Sequence, residues 1–263
     1  MYRFLLTRQW VILTLIGLVL IPTMIELGFW QFNRHERRVD QNAMIARNLD
    51  AAPVPIEELT SPGHTVPRED KWRRTTATGT FDPANEVVVR RRTDADERVG
   101  YHVLTPLVLA DGRAVLVNRG WVASPADPKA YPEVPAPPKG TVTVVGRLKA
   151  DETTKASGIK DLAGLPPRQV MLINSEQRSK AIGRPVLAGY VEQTSPKAED
   201  NTPKQIPDPD HESIGAHMAY AIQWWLFTTA VPVGWVVLVR REVRDRRAAA
   251  ARETSEQPAP AHA

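Results

Sequence analysis

Two long runs of uncharged, mostly apolar residues, one near each end, constrain this chain more than any other feature. The first, residues 9–25, holds no charged side chain and continues past a single Glu26 to Trp30. The second covers residues 213–239. A helix rises about 1.5 Å per residue, so roughly 20 residues cross a hydrocarbon core about 30 Å thick. Both runs meet that length, and each is expected to be a membrane-spanning helix. The alternative for the first is a cleaved signal peptide, because Arg3 and Arg8 resemble its charged start. No small-x-small cleavage site follows in Pro22-Thr-Met-Ile-Glu-Leu-Gly28, which favours an uncleaved anchor. A buried core helix is the alternative for the second run. The arginine-rich sequence directly after it argues for a span.

Orientation follows from the flanking basic residues. Arg3 and Arg8 precede the first span, and Arg240, Arg241, Arg244, Arg246, Arg247 and Arg252 follow the second. Both tails are therefore expected in the cytoplasm. Arg34, Arg37 and Arg38, just past the first span, pull the other way. Long loops translocate largely regardless of charge, and the C-terminal cluster is the larger bias. The expected division is a cytoplasmic tail at 1–8, a span at 9–30 and an outer domain at 31–212. A second span at 213–239 and a basic, disordered cytoplasmic tail at 240–263 complete it.

The formal net charge of +4 sits at the two ends and leaves the outer region about neutral. That is not the basic face phosphate binding needs, so no nucleic-acid partner is expected. The basic ends suit an anionic leaflet, making membrane lipids the expected contact. The chain has no cysteine. Disulfides, thiolate zinc sites, thiol catalysis and haem attachment through Cys-x-x-Cys-His are therefore excluded. No copper site is expected, since soft Cu(I) wants Cys or clustered Met and the five Met are scattered.

Between the spans, residues 31–49 lack Gly and Pro and read as a helix continuing out of the membrane. Residues 51–67 hold four prolines and read as loop. Seven segments then read as strands: 72–81, 86–91, 101–109, 113–117, 141–148, 170–173 and 186–193. Asp111-Gly112 between the third and fourth is the strongest hairpin signal. Residues 175–182 read as a short helix with Asn174 or Ser175 as N-cap. Residues 131–138 and 195–209 are proline-rich and read as exposed, extended linkers. The expected fold is two transmembrane helices flanking an α+β, mainly antiparallel β, extracytoplasmic domain, either a sheet or a partly closed barrel.

Enzyme signatures are missing: there is no Gly-x-Ser-x-Gly, no phosphate-cradling glycine loop and no His-Glu-x-x-His. Two strings stand out instead, one per span. In Leu27-Gly-Phe-Trp-Gln-Phe-Asn-Arg34, helical spacing puts Trp30 and Arg34 on one face, where a cation–π contact is possible. The other reading of this pair is an aromatic belt residue with a basic neighbour. The second string, His217-Met-Ala-Tyr-Ala-Ile-Gln-Trp-Trp225, places His217, Tyr220 and Trp224 on one face. About 20 residues of helix, counted from Arg8 and back from Arg240, put Trp30 and His217 at one depth near the outer boundary. An imidazole can ligate haem iron, aromatic rings can cover the macrocycle, and Arg34 can pair with a propionate. An interfacial His that only hydrogen-bonds remains the alternative. In the outer domain, Val117-Asn118-Arg119-Gly120-Trp121-Val122 reads as a strand ending in a turn. Its Trp121 serves either as core, beside a salt-bridged Arg119, or as a docking surface.

At these residues the chain closely resembles the surfeit-locus-protein-one (Surf-type) family of cytochrome c oxidase assembly factors. The likeness runs nearly end to end. LGFWQFNR, GYHVLTPLVLADGRAVLVNRGWV and HMAYAIQWW look like family signatures, and VTVVGRLKADE and INSEQRSKAIGRPVLAGYVEQ fit more loosely. The resemblance implies a non-enzymatic helper in the respiratory chain, acting when haem a enters the catalytic subunit of a haem–copper oxidase. It implies oxidase subunit I and haem a synthase as partners, and haem a as a transient cofactor with His217 on its iron. Arg34 and Trp121 carry over as signature positions. A second reading is a haem-free membrane scaffold that docks oxidase subunits or haem a synthase through Asn118, Arg119 and Trp121. The arginine-rich tail and the proline-rich linker before the second span depart from the pattern. With no transit segment rich in Arg and Ser, a bacterial plasma membrane is the expected location.

Overall fold

The computed structural model describes residues 2–127, 129–199 and 201–256. Its helices are α1 (Arg8–Asp50), α2 (Ile56–Leu59), α3 (Thr154–Ser157), α4 (Ser175–Ile182) and α5 (His217–Glu256). Its strands are β1 (Val54–Pro55), β2 (Arg74–Phe81), β3 (Val87–Thr93), β4 (Val99–Leu109), β5 (Ala114–Ala123), β6 (Thr141–Lys149), β7 (Gln169–Val170) and β8 (Val186–Ser195). The chain forms two compact units, Met1–Gln41 with Glu212–Ala263, and Asn42–His211.

The first unit is an antiparallel helix pair. Helices α1 and α5 are each long and apolar enough to cross a membrane. Their outward faces carry exposed apolar side chains such as Leu18, Val19, Leu226 and Val233, which no other part of the unit covers. As contacts climb α1 they descend α5. Trp235 Nε1 donates to Thr14 Oγ1 at 3.1 Å, Gly17 faces Val231, and Trp225 lies on Gly28. A Cβ on Gly28 would stand 2.2 Å from the Trp225 indole nitrogen, so only glycine lets that ring settle against the α1 backbone. Phe29 and Phe32 flank the same indole at 5.9 and 6.1 Å between ring centroids. At the far end Phe4 is buried between Trp10, edge-on at 5.2 Å, and the Arg246 guanidinium at 5.0 Å.

Beyond the second apolar run the structure departs from expectation. Residues 240–256 continue α5 rather than forming a disordered tail. The physical reason lies in the sequence. Ala248–Ala251 are the best helix formers, and Glu242 pairs with Arg246 at 2.7 Å across one turn. Residues 257–263 of that tail lie outside the described residues.

The second unit is a closed five-stranded barrel in the order β2-β6-β8-β5-β4, with β4 pairing back to β2. All neighbours are antiparallel except β5 and β8. Closure joins Gly79, Thr80 and Phe81 to Leu109, Val108 and Leu107. A Cβ on Gly79 would meet the Val108 carbonyl oxygen at 2.2 Å, so glycine permits the seam. Thus the expected sheet or partly closed barrel is a fully closed one. Strand alternation fills its core with Ala77, Phe81, Leu107, Leu109, Val115, Val117, Val144, Leu148, Leu187 and Val191. The outward side chains of β4 and β5 are buried as well, Leu104 and Leu116 lying with Ile173 and the α4 residue Ile182. Asn174 caps α4, its Oδ1 accepting from the Gln177 N–H at 2.9 Å.

The two proline-rich segments are not free linkers. Tyr131 and Val134 pack on Val88, Tyr101, Val103 and Val122, and the Pro135 carbonyl accepts from Arg119 Nη2 at 2.8 Å. Lys204 exchanges two backbone hydrogen bonds with Trp121, at 2.7 and 2.8 Å. Buried Arg147 reaches Ile206 O, Pro207 O and the Asp208 carboxylate. Apolar side chains and spare carbonyls in these prolines' company give the barrel something to hold, which composition alone does not reveal.

Candidate functional site

The end of the helix pair where α5 begins gathers one histidine and three arginines. Helical spacing on α1 sets Arg34, Arg37 and Arg38 on one side at i, i+3 and i+4. α5 begins opposite them at His217, preceded by Ser213, Ile214 and Gly215. These residues, with Gln41, line one open groove. Arg38 Nε donates to Ser213 O at 3.0 Å and ties the approach to α5 onto α1. Arg34 lies 5.4 Å from the Trp30 ring centroid, the cation–π contact its spacing predicts.

His217 is half-buried, and its Nδ1 lies 3.0 Å from Gln31 Oε1. An amide oxygen only accepts, so the imidazole donates from Nδ1. Its Nε2 edge faces Gly215, where a Cβ would sit 3.6 Å from Nε2 and 3.5 Å from Cδ2. The donor set suits an iron and its carboxylates: one imidazole nitrogen held by a partner, the other left with its lone pair, and three guanidinium groups lining the same groove.

Of the sequence-selected residues, His217 and Arg34 share this groove. Trp30 lines a neighbouring one with Pro22, Thr23, Glu26 and Leu27. Tyr220 is half exposed and Trp224 sits edge-on to Phe227 at 6.1 Å, and neither lines the His217 groove. Sequence reading missed Gln31, although it lies inside the LGFWQFNR string, because a glutamine announces itself only through its partner. It also read Arg37 and Arg38 as topology signals alone.

Asn118, Arg119 and Trp121 do not offer a docking surface. They are 1, 6 and 5 % exposed. β4 pairs Val103 with Gly120 and Leu104 with Asn118, so Arg119 is the extra residue of a β-bulge, which re-aims its side chain. Arg119 Nη1 donates to Glu86 Oε2 at 3.0 Å, and the same oxygen accepts from Thr105 Oγ1 at 2.7 Å. Tyr131 donates to Glu86 Oε1 at 3.3 Å, and burial followed by that carboxylate pushes its phenol pKa up. Trp121 Nε1 donates to Arg92 O at 3.0 Å, and Asn118 Nδ2 donates to His102 Nδ1 at 3.1 Å. Burial first, then the Arg92 and Lys149 charges, hold the His102 pKa down to about 3, so this imidazole is neutral. These three positions build the barrel wall.

The SURF1 family profile matches residues 18–229. The chain belongs to the SURF1 family. An uncharacterised SURF1-like protein of Mycobacterium tuberculosis is 29 % identical over 98 % of this chain and 92 % of its own length. A SURF1-like protein of Rickettsia bellii is 29 % identical over 45 % of this chain and 44 % of its own. Surfeit locus protein 1 of Gallus gallus is 31 % identical over 40 % of this chain and 38 % of its own. Within this SURF1-family chain the matched span takes in Gln31, Arg34, the whole barrel and His217, and ends before the arginine-rich end of α5.

Proposed function

We propose that this SURF1-family protein is a non-enzymatic assembly factor of a bacterial haem–copper cytochrome c oxidase, and that it holds haem a transiently on His217. Family membership, linked in general to cytochrome oxidase assembly, supports the first half. The single observation behind the second is the shared groove of His217 and Arg34, with Nδ1 of the histidine engaged by Gln31. Haem a, when bound, would supply an iron that an imidazole nitrogen can ligate and two propionates that carry negative charge. In this reading His217 Nε2 would hold the iron and Arg34, oriented by its stack on Trp30, would meet a propionate, with Arg37 and Arg38 beside it. Tyr220 and Trp224 share the His217 face of α5 by helical spacing but stand outside the groove, so the reading rests on His217 and Arg34.

The basic ends orient the pair with both termini cytoplasmic and the barrel outside the plasma membrane. The partners are then oxidase subunit I, as recipient, and haem a synthase, as source. Deleting the gene is expected to leave oxidase short of haem a. Restoring the wild-type gene repairs it, whereas His217→Ala does not. An oxidase with full haem content in the deletion strain contradicts the assembly role. Full repair by His217→Ala, with the protein copurifying with oxidase subunits, favours a haem-free scaffold instead.

A further inference from the structure

We infer that Gln31 is a positioning residue for His217: it fixes the imidazole with its proton on Nδ1 and so leaves the Nε2 lone pair for iron. The inference rests on the haem a reading above. A neutral imidazole has one N–H and one lone pair, and the hydrogen bond at one nitrogen decides which the other carries. Gln31 Oε1 stands 3.0 Å from Nδ1, a full hydrogen bond that only an Nδ1 proton can make. On the opposite edge the residue is Gly215, whose missing Cβ would have lain 3.6 Å from Nε2. One side of the ring is thus engaged, and the other borders a residue with no side chain. Both features come from residues that bear no charge, so neither competes with Arg34, Arg37 and Arg38 for an anionic ligand.

The choice of an amide has a consequence. A carboxylate partner raises the basicity of a ligating histidine, whereas a glutamine oxygen orients the ring with less electron push. A histidine backed by glutamine grips iron less firmly than one backed by carboxylate. That suits a protein whose task ends in release.

The test uses full-length protein, 15N-labelled at histidine and purified haem-free in detergent, observed by NMR at about pH 8, above the ordinary histidine pKa. His217 is assigned by the resonance lost in His217→Gln. Wild type is expected to carry the proton on Nδ1. Gln31→Leu removes the acceptor and moves the proton to Nε2, while Gln31→Glu keeps an acceptor and keeps Nδ1–H. Haem a extracted from purified oxidase is then titrated. Gln31→Leu should bind it about 10-fold more weakly or worse, and Gln31→Glu at least as tightly as wild type. A wild-type His217 protonated on Nε2, or a Gln31→Leu protein with unchanged tautomer and affinity, overturns the inference. A wild type with Nδ1–H that binds no haem a overturns the haem reading and leaves the Gln31–His217 lock supported.

Discussion

Glu86 draws four partners to one buried carboxylate: Thr105, Arg119, Tyr131 and, at 3.7 Å, Arg168. Such a group is stabilised only as a set, because removing one charge leaves the other buried and uncompensated. Arg119→Ala should therefore lower unfolding free energy by about 3 kcal/mol or more, read by denaturant titration of the full chain in detergent. His102 makes a different demand. Its folded pKa of about 3 lies below its ordinary 6.5, so the unfolded chain binds more protons between those values. Its contribution is complete above about pH 6.5 and is lost as pH falls toward about 3. Wild type should lose Tm across that window more steeply than His102→Gln, and equal slopes would contradict the burial argument. At this scale the sequence exposed side chains with unusual chemistry, such as His217 and Arg34, but not their partners. Gln31 and Glu86 are ordinary residues until folding brings a histidine or an arginine against them.

Among the elements, the helix pair depends on the match between α1 and α5. Gly17 lies against Val231, where a Cβ would come within 3.6 Å of Val231 Cγ1. A cysteine sulfur at position 231 can take about the place of Val231 Cγ1, within bridging reach of a residue-17 Cβ, and the chain has no native cysteine. Gly17→Cys with Val231→Cys should therefore crosslink within one chain under mild oxidation. Gly17→Cys with the outward Val237→Cys should not, and the reverse pattern would rule out this register. Long elements were legible because their signals accumulate along the chain: the two apolar helices from their uncharged length, the continuation of α1 from its lack of Gly and Pro, and α4 from its Asn174 cap. β5 was read too short, because Asn118-Arg119-Gly120 looks like a turn when it is a bulged strand. β1 and β7, two residues each, are too short to carry any period.

At the scale of the whole molecule each unit carries its own organisation, a barrel around a closed core and a helix pair with an apolar exterior. The barrel's class could be read from its strands, but its closure could not. The β2–β4 seam and the parallel β5–β8 pair join segments far apart in sequence, and no local pattern encodes them. The site was half legible for the same reason: each signature string was visible, while the groove needs both helices at once. In the proposed function His217 holds haem a in that groove. The most direct test is the absorption spectrum of the full-length protein purified from cells that make haem a, wild type beside His217→Ala. Haem a held by His217 gives a haem a spectrum in the wild type that is lost or shifted in the variant; the same haem spectrum in both, or none in either, rules that role out.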